Sequence, residues 1–263
     1  MSADGLSAAA VTEGLETRFI GQRAIYFPSL TSTMDIARQE ARQGAAEGTV
    51  IIADEQTAGR GRLQRAWLSP GGSIAVSVIL RPPLDHLPSL VMLASLSVVH
   101  SIKLTTGLKA QIKWPNDVLL YGKKVCGILI ENDLKGRRVN HAIIGIGINV
   151  NLKLSDFPEI RQIATSLSDE LGGAVSRLDV LRSLLVEMER LYLGLSTGGT
   201  VYEEWRDNLV TLGKRVRVTT GEGVYEGTAE DVARDGSLLV RGGDGKLNRI
   251  VAGDVTLRGE PSG

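Results

Sequence analysis

The sequence predicts an α+β fold: a mixed or antiparallel β-sheet flanked by helices, followed by a small C-terminal β-barrel. Three observations support this prediction. Short apolar strand patterns separated by turns recur over the first two thirds of the chain, and a few helical patterns lie among them. From residue 211 onward only short alternating strands remain. We therefore expect a flexible tail over residues 1–17, a large domain over 18–210 and a small domain over 211–263.

The elements of the large domain follow from apolar periodicity. Gly72–Leu80 is apolar at nearly every position towards its end, so this strand should be buried on both faces. Residues 88–106 are apolar at helical spacing, and Gly107 should end this core helix. Strands are expected at 25–27, 49–53, 72–80, 110–114, 118–120, 124–130 and 141–148, and helices at 34–43, 88–106, 164–171, 177–195 and 202–208.

The small domain is predicted from its turns. Strand patterns at 215–218, 224–228, 238–240, 249–251 and 255–257 are separated by glycine-rich segments. Such tight spacing over about fifty residues predicts a small barrel.

Composition narrows the class of protein. The chain has 263 residues, 43% of them apolar and 23% charged, which is ordinary for a globular protein. Basic and acidic residues number 30 each, and this balance argues weakly against a nucleic-acid-binding module, which usually has a basic excess. The single cysteine, Cys126, excludes an intrachain disulfide and suits a reducing compartment, so we expect a cytoplasmic protein. Cys126 lies in an apolar strand and is expected to be a packed core thiol.

The sequence lacks the patterns typical of zinc-binding, membrane-spanning and secreted proteins. One cysteine and three scattered histidines give no zinc-site spacing. No apolar run approaches the roughly 18 residues of a membrane span, and the N-terminal residues lack a secretory signal pattern. We therefore expect no membrane partner.

A glycine-arginine segment, Gly59–Trp67, is the first candidate site. Its glycines let the backbone approach a ligand closely. Its arginines present planar forks that can bind phosphate or carboxylate bidentately, and its tryptophan can stack on a flat ring. A solvated basic turn is the alternative interpretation. The residues concerned are Gly59, Arg60, Gly61, Arg62, Arg65 and Trp67.

Two further segments give this loop a context. Lys113–Val118 reads Lys-Trp-Pro-Asn-Asp-Val and leads into the strand that contains Lys124, and Gly145–Val150 reads Gly-Ile-Gly-Ile-Asn-Val. With the glycine-arginine loop, these segments resemble the biotin protein ligases in order and approximate spacing. The resemblance runs from about Ser29 to Arg258.

The resemblance implies both a fold and a reaction. The fold would be a class II synthetase-like catalytic domain with an SH3-like C-terminal domain. The enzyme would make biotinoyl-5′-adenylate from biotin and ATP, with Mg²⁺ arriving on ATP, and would then transfer biotin to a lysine of a biotin carboxyl carrier domain. No permanently bound cofactor is implied, and no metal ligand can be assigned.

The resemblance also assigns roles to individual residues. Biotin would be bound by Ser32, Thr33, Met34, Gln56, Gly59, Arg60, Gly61, Arg62, Lys124 and Gly127. The adenylate would be bound by Arg62, Arg65, Trp67, Asn116, Asn149 and Lys124, with Trp67 stacking on adenine and the asparagines bonding its edge. The catalytic residues would be Lys124, Asp117 and Arg60. Lys124 and the arginines supply positive charge where anionic groups meet, and Asp117 is the candidate base for the acceptor lysine.

Two other functions stay open at this point. Lipoate or octanoate ligases share a related fold and adenylating chemistry, although the Lys-Trp-Pro-Asn-Asp segment and the hydroxyls of Ser32 and Thr33 favour biotin. A nucleic-acid-binding module with a small barrel is the non-enzymatic alternative.

About 25 residues precede the first strand, which is short for the helix-turn-helix of some biotin ligases, so we expect the monofunctional form without a DNA-binding domain. A homodimer is left open.

Overall fold

The computed structural model describes residues 5–257, in which six α-helices and twelve β-strands follow one another. The helices are α1 Ala8–Thr12, α2 Thr33–Arg42, α3 Ser89–Thr106, α4 Leu167–Leu171, α5 Arg177–Leu195 and α6 Val201–Asp207. The strands are β1 Ala24–Leu30, β2 Val50–Gln56, β3 Ile74–Leu80, β4 Gln111–Lys113, β5 Asp117–Leu120, β6 Lys123–Lys135, β7 Arg138–Ile148, β8 Arg215–Thr220, β9 Gly223–Val232, β10 Leu238–Gly242, β11 Leu247–Ile250 and β12 Asp254–Leu257.

The first seven strands form one mixed sheet in the order β1-β2-β3-β7-β6-β5-β4. Only β1 and β2 pair in parallel; the other neighbours are antiparallel. Every residue of β3 is buried, as its unbroken apolar sequence predicts. Helix α2 covers one face of the sheet, where Met34 packs with Ile51 and Ile143, and helices α3 and α5 cover the other. The predicted α+β class is confirmed.

Helix α3 corrects one expectation drawn from the sequence. Its 18 residues have a mean hydropathy of 1.4, so by length and composition it could cross a membrane, although no such run was expected. Isolated serines and one lysine interrupt the apolar residues of this helix, so its sequence contains no unbroken apolar run of that length. In the fold, 61% of this segment is buried, and its side chains belong to the main apolar cluster. Gly107, with φ 74°, ends the helix as predicted.

The N-terminal segment departs from the expected flexible tail. Helix α1 is capped by Ser7, and the side chains of Leu6, Val11 and Leu15 are buried in the main cluster. The prediction failed because the segment is short and mostly polar. Its three apolar side chains make contacts only when α5 is packed beside them. Residues 1–4 of that predicted tail lie outside the described residues.

Glu189 of α5 anchors the end of this N-terminal segment. Its buried carboxylate accepts backbone N–H groups from Arg18, Phe19 and Ile20 at 2.5, 2.8 and 2.9 Å. A buried carboxylate needs such donors to offset its lost hydration.

The last five strands form a separate antiparallel sheet in the order β11-β10-β9-β8-β12. Within residues 5–257 no ladder joins β11 to β12, so the predicted small barrel is not closed by backbone pairing. Its inward residues, including Val218 and Val240, belong to the same apolar cluster as α3 and α5. Trp114 Nε1 donates to Gly236 O at 2.8 Å across the junction. This sheet is therefore packed against the larger part of the chain and brings β12 to the candidate site.

Candidate functional site

A cavity of about 450 Å³ lies between the α2 face of the large sheet, the Gly59–Trp67 loop and strand β12. Its walls come from seven segments of the chain, which lie within 32–34, 56, 60–68, 113–129, 145–149, 160–164 and 254–256. The fold brings nearly all of the predicted site residues to this one cavity: Ser32, Thr33, Met34, Gln56, Arg60, Gly61, Arg62, Arg65, Trp67, Asn116, Asp117, Lys124, Gly127 and Asn149.

Hydroxyl and amide groups occupy one end of the cavity. Gln56 Oε1 accepts the backbone N–H of Thr33 at 2.9 Å and its Oγ1–H at 3.1 Å, while Ser77 Oγ donates to Thr33 Oγ1 at 2.8 Å. Ser32 begins α2 without a side-chain capping bond, and it is buried. The result is a fixed polar cluster with both donors and acceptors, which suits a neutral ligand such as a urea.

The floor of the cavity is made of glycines on β6 and β7. Gly127 lies opposite Gly147 in the ladder, and Gly145 lies opposite Leu129. A Cβ atom at Gly147 would lie 2.4 Å from Trp67 Nε1, and one at Gly145 would lie 2.6 Å from Met34 Sδ. These positions exclude any side chain, because the indole and the thioether already lie directly on the strands. Trp67 thus contributes to an apolar wall above the floor.

Arg60 is held by acidic residues at the cavity edge. Its Nη2 lies 2.5 Å from Asp35 Oδ1 and 4.0 Å from Glu131 Oε1. Arg38 pairs with the carboxylates of Glu131 and Asp35, and these pairings raise the pKa of the Arg38 guanidinium. Arg60 Nε is buried and has no hydrogen-bond partner within the described residues. A ligand oxygen could satisfy this donor.

Arg62 and Arg65 join the glycine-arginine loop to the C-terminal sheet. Arg62 Nη1 donates to Gly253 O at 3.2 Å, and Arg65 Nη2 lies 2.7 Å from Asp254 Oδ2. Burial lowers the pKa of Arg62, an effect opposed by the nearby carboxylates of Asp254 and Asp117. The loop is therefore attached at one end to α2 and at the other to β12.

Lys124 and Asp117 form an ion pair beneath this loop. Lys124 Nζ lies 2.6 Å from Asp117 Oδ1 and 5.3 Å from the centre of the Trp67 ring. The neighbouring Lys123 is exposed and does not line the cavity, so Lys124, the lysine that the resemblance assigns to the site, is the one that points inward.

A β-bulge sets the direction of Lys124. The register of β5 against β6 shifts between Val118 and Leu119, so that Val118 faces Cys126 and Leu119 faces Lys124. In a regular strand Lys124 would share a face with Cys126, which is fully buried in the core. The bulge instead places Lys124 on the same face as Gly127, where a Cβ would lie 3.3 Å from Nζ. Cys126 is fully buried in the main apolar cluster, which confirms the expectation of a packed core thiol, and this burial raises the pKa of the thiol.

The two asparagines differ in what they leave for a ligand. Asn116 donates to Ile128 O at 2.7 Å and accepts from Arg62 at 3.0 Å, so both ends of its amide are engaged. Asn149 is buried, and its Nδ2 donates to Thr165 O at 3.0 Å. This bond fixes the amide orientation and leaves Oδ1 as the acceptor for a ligand.

Gly59 is the predicted site residue that does not line the cavity. It is buried against the loop itself, because its carbonyl accepts the N–H of Trp67 at 2.9 Å and a Cβ would lie 2.5 Å from Trp67 O. The close approach that requires glycine here is to the protein's own backbone.

Some lining residues were not predicted from the sequence. They include Lys113, the segment Ile160–Ala164 apart from Arg161, and Asp254, Val255 and Thr256 of β12. Lys113 is the first residue of the Lys-Trp-Pro-Asn-Asp motif, so the sequence did offer a signal for it. The other segments have no chemical signature in the sequence, and only the chain's tertiary pairing, such as Lys124 N donating to Ile163 O at 2.8 Å, brings them to the site.

Carboxylates in the cavity are few. Asp117 and Asp254 line it, and each is already paired with a cation. Among residues 5–257 there is no group of three or more histidine, cysteine, aspartate or glutamate side chains placed to hold a metal ion.

Comparison with known proteins shows which protein family the chain is similar to. The model of the biotin/lipoate A/B protein ligase family matches residues 26–149, and that of the biotin protein ligase C-terminal domain matches residues 211–258. The chain is 40% identical over 258 residues to the bifunctional ligase/repressor BirA of Bacillus subtilis, covering 96% of this chain and 79% of the relative. It is 34% identical over 212 residues to the biotin–[acetyl-CoA-carboxylase] ligase of Paracoccus denitrificans, covering 77% and 88%.

Solved structures agree with the sequence relatives. The biotin protein ligase of Aquifex aeolicus in complex with biotin and ATP superimposes with a TM-score of 0.78 at 31% identity, covering 90% of this chain and 99% of that one. The biotin protein ligase of Leishmania major in complex with biotinyl-5-AMP has a TM-score of 0.58 at 24% identity, a likeness of fold.

Proposed function

The chain belongs to the biotin protein ligase family, and we propose that its cavity carries out the ATP-dependent ligation of biotin with the residues described above. The reaction has two steps. The biotin carboxylate attacks the α-phosphorus of ATP, releasing diphosphate and leaving biotinoyl-5′-adenylate. A lysine amine of an acceptor protein then attacks the acyl carbon, forming an amide and releasing AMP. The observation that carries this proposal is the position of Lys124 Nζ, inside the cavity and between Asp117 and the Trp67 ring.

Biotin is assigned to the part of the cavity between the polar cluster and Lys124. The donors and acceptors of Thr33 and Gln56 match a ureido group. The glycine floor gives the apolar ring and chain a flat wall, and Trp67, which the resemblance assigns to the adenine, lies against that floor and is proposed to extend the wall. A dithiolane ring has no strong hydrogen-bonding groups, so a lipoate ligase would leave this polar cluster unmatched. The cluster therefore favours biotin over lipoate.

Charge neutralisation is the main contribution to the first step. Two anions, a carboxylate and a phosphate, must come together, and preorganised cations lower the barrier for that approach. We assign this role to Lys124, with Arg60 and Arg62 from the loop above it. Asn116 acts through Arg62, because its amide oxygen holds that guanidinium at 3.0 Å.

The adenine is assigned to the end of the cavity nearest Asn149. The free Oδ1 acceptor there suits the exocyclic amine of adenine, because the opposite end of the amide is fixed by Thr165. A guanine carbonyl at that position would face Asn149 Oδ1, so two acceptors would meet with no donor between them. This arrangement supports a preference for ATP over GTP.

Asp117 is assigned to the second step. Its carboxylate lies 2.6 Å from Lys124 in the absence of ligand. Once Lys124 turns to the adenylate, the carboxylate can accept a proton from the acceptor amine. We propose Asp117 as that base.

Mg²⁺ fits this site as a companion of ATP. Magnesium is commonly held by substrate phosphates together with one or two carboxylates, and Asp254 is the cavity carboxylate to which no other catalytic role is assigned. Bound there, the ion would neutralise phosphate charge.

The acceptor is proposed to be the biotin carrier domain of a carboxylase, as the name of the Paracoccus relative implies for that protein. The division into a catalytic domain at 18–210 and an SH3-like domain at 211–263 is kept as a proposal, as is a cytoplasmic location. A homodimer stays an open prediction.

One assay tests the proposed function. Purified protein is incubated with ATP, Mg²⁺ and either biotin or lipoate, and mass spectrometry is used to detect the acyl-adenylate. We expect biotinoyl-adenylate and diphosphate with biotin only. Adenylate formation with lipoate or octanoate, and none with biotin, would overturn the assignment.

A further inference from the structure

The first residues of β6 extend beyond the end of the neighbouring strand β7. Strand β7 ends opposite Cys126, so the backbone N–H and C=O groups of Lys124 on that side need other partners. Residues 163–165 supply them and run parallel to β6 at this point. Lys124 N donates to Ile163 O at 2.8 Å, and Thr165 N donates to Lys124 O at 2.9 Å. We call residues 163–165 the bridging segment.

The bridging segment also holds the asparagine that is assigned to the adenine. The backbone of Asn149 is fixed by β6, because Asn149 N donates to Val125 O at 2.9 Å. Its side-chain amide is fixed separately, by the bond from Nδ2 to Thr165 O at 3.0 Å. Thr165 therefore bonds through its N–H to Lys124 and through its C=O to Asn149, the two residues assigned to the α-phosphate and to the base of ATP.

A hydrogen bond to helix α4 fixes the side chain of Thr165. Thr165 is buried, and its Oγ1 donates to Glu170 Oε1 at 2.5 Å. Helix α4 is attached to β7 in turn, because Leu167 N donates to Asn149 O at 3.0 Å. Hydrogen bonds to a carboxylate are stronger than those between neutral groups, and losing one inside a fold leaves a polar atom unpaired. Neither Thr165 nor Glu170 lines the cavity, so their contribution must act through other residues.

We propose that Thr165 is a positioning residue for two parts of ATP, and that Glu170 holds Thr165 in place. Through its N–H, Thr165 keeps the start of β6, and hence Lys124, in place at the α-phosphate. Through its C=O it keeps Asn149 Oδ1 turned to the base, and this orientation selects adenine over guanine. An amide that is free to turn could instead offer Nδ2 to a guanine carbonyl. The proposal rests on the ligase activity proposed above and identifies residues outside the cavity that set its nucleotide preference.

The test breaks the bond between Thr165 and Glu170 from either side. Thr165→Val keeps the shape and the backbone groups but removes the hydroxyl, and Glu170→Ala removes the acceptor. Thr165→Ser is the conservative variant, because it keeps the hydroxyl. The matched control is Thr49→Val, which removes another buried threonine hydroxyl, one that donates to Ala46 O at 2.7 Å and does not line the cavity. Diphosphate release with biotin is measured for each variant with ATP and with GTP, together with the melting temperature.

For Thr165→Val and for Glu170→Ala we expect the kcat/KM for ATP to fall about tenfold, the loss typical of one buried hydrogen bond. The ratio of the kcat/KM for ATP to that for GTP should fall by a similar factor. The KM for biotin should stay within about twofold, because the ureido group is assigned to Thr33 and Gln56 at the other end of the cavity.

The remaining variants sharpen this expectation. Thr165→Ser should stay within about threefold of the parent protein with both nucleotides. The double variant of Thr165→Val and Glu170→Ala should lose no more than either single variant, because both changes break the same bond. Thr49→Val should lower the melting temperature about as much as Thr165→Val does, and leave the nucleotide preference unchanged.

Other results would overturn the positioning proposal. Equal losses with ATP and GTP would leave Thr165 a structural role only. Unchanged kinetics in Glu170→Ala, the same loss in Thr165→Ser as in Thr165→Val, or losses that multiply in the double variant would each contradict it. If Thr165→Val does not fold, Glu170→Ala decides the question alone. A parent protein that forms no biotinoyl-adenylate from biotin and ATP would instead refute the proposed function, so the two failures are distinguishable.

Discussion

The two segments that carry the charges of the site are built in opposite ways. The hairpin from Asp117 to Gly127 belongs to the large sheet: β5 pairs with β4 and β6, and β6 pairs with β7. The loop Gly59–Trp67 has few backbone bonds of its own and is attached by Arg60 to α2 and by Arg62 and Arg65 to β12. The difference indicates a division of labour, in which the hairpin fixes the reacting groups and the loop covers them.

The energetics of the two segments support this difference. Ladder hydrogen bonds within a buried sheet open only with the sheet itself. Partly exposed ion pairs contribute about 0–1 kcal/mol each and exchange readily for other anions. A ligand with a carboxylate and phosphates offers Arg60, Arg62 and Arg65 stronger partners than Asp35 and Asp254. Substrate binding is therefore expected to rearrange the loop and leave the hairpin in place.

The largest effect is expected from Asp117→Asn, which keeps the shape of the hairpin but removes the proposed base. Transfer to the carrier should slow by about 100- to 10,000-fold. Adenylation should fall by no more than about tenfold, because only the partly exposed ion pair with Lys124 is lost. Single-turnover kinetics that score adenylate and labelled carrier separately would check this. Equal losses in both steps would leave Asp117 a structural role only.

Lys124→Ala removes the cation at the point where the two anions meet. Adenylation should slow by about 100- to 1,000-fold, while the melting temperature stays near that of the parent because Lys124 is not a core residue. Lys123→Ala is the matched control, since that neighbouring lysine is exposed, and it should leave adenylation unchanged. A comparable loss in Lys123→Ala would show that Lys124 is not the only lysine that the hairpin directs into the cavity.

Gly147→Ala tests the contact between floor and loop. The added Cβ would lie 2.4 Å from Trp67 Nε1, so the indole must move off the strand. Overpacking of this kind costs about 1–3 kcal/mol, which, where it falls on the biotin complex, corresponds to a rise in the KM for biotin of about 5- to 150-fold. Gly71→Ala is the control, because a Cβ there meets nothing within 4 Å. An unchanged KM in Gly147→Ala would mean that Trp67 is not part of the biotin wall.

The smallest effect is expected from Asp35→Asn, which releases Arg60 from its partner on α2. A partly exposed ion pair changes the KM for biotin by about threefold, and the cleavage of the loop by trypsin should become faster without ligand. Glu40→Gln, on the same helix and paired with Arg23 away from the cavity, is the matched control. Identical digestion of both variants and the parent would argue against an attached loop.

The sequence predicted the hairpin and the loop with different success. The strand patterns at 118–120 and 124–130, together with the Lys-Trp-Pro-Asn-Asp segment, were sufficient to place Asp117 and Lys124 beside one hairpin, because sheet geometry is regular. The bulge that turns Lys124 into the cavity could not be predicted, because a one-residue shift of register leaves no pattern in the sequence. Its direction was inferred only from the resemblance.

The long-range contacts of the site were the least predictable. Nothing in the sequence of Gly253 or Asp254 shows that β12 meets Arg62 and Arg65, because that contact depends on how the C-terminal sheet packs against the rest of the chain. The buried N-terminal segment was missed for the same reason: Leu6 and Val11 find their partners only in the finished core. Local pattern predicted elements well, and tertiary packing decided which of them share the cavity.

The central claim is that a fixed hairpin performs the chemistry beneath a loop that substrates rearrange. Hydrogen–deuterium exchange, measured with and without biotin and ATP, tests it most directly. We predict that the amides of residues 60–66 exchange quickly in the free protein and slow by at least about tenfold with both substrates, while those of β5 and β6 at residues 118–128 are protected in both states. Loop amides protected equally in both states, or hairpin amides that become protected only with substrates, would contradict the account.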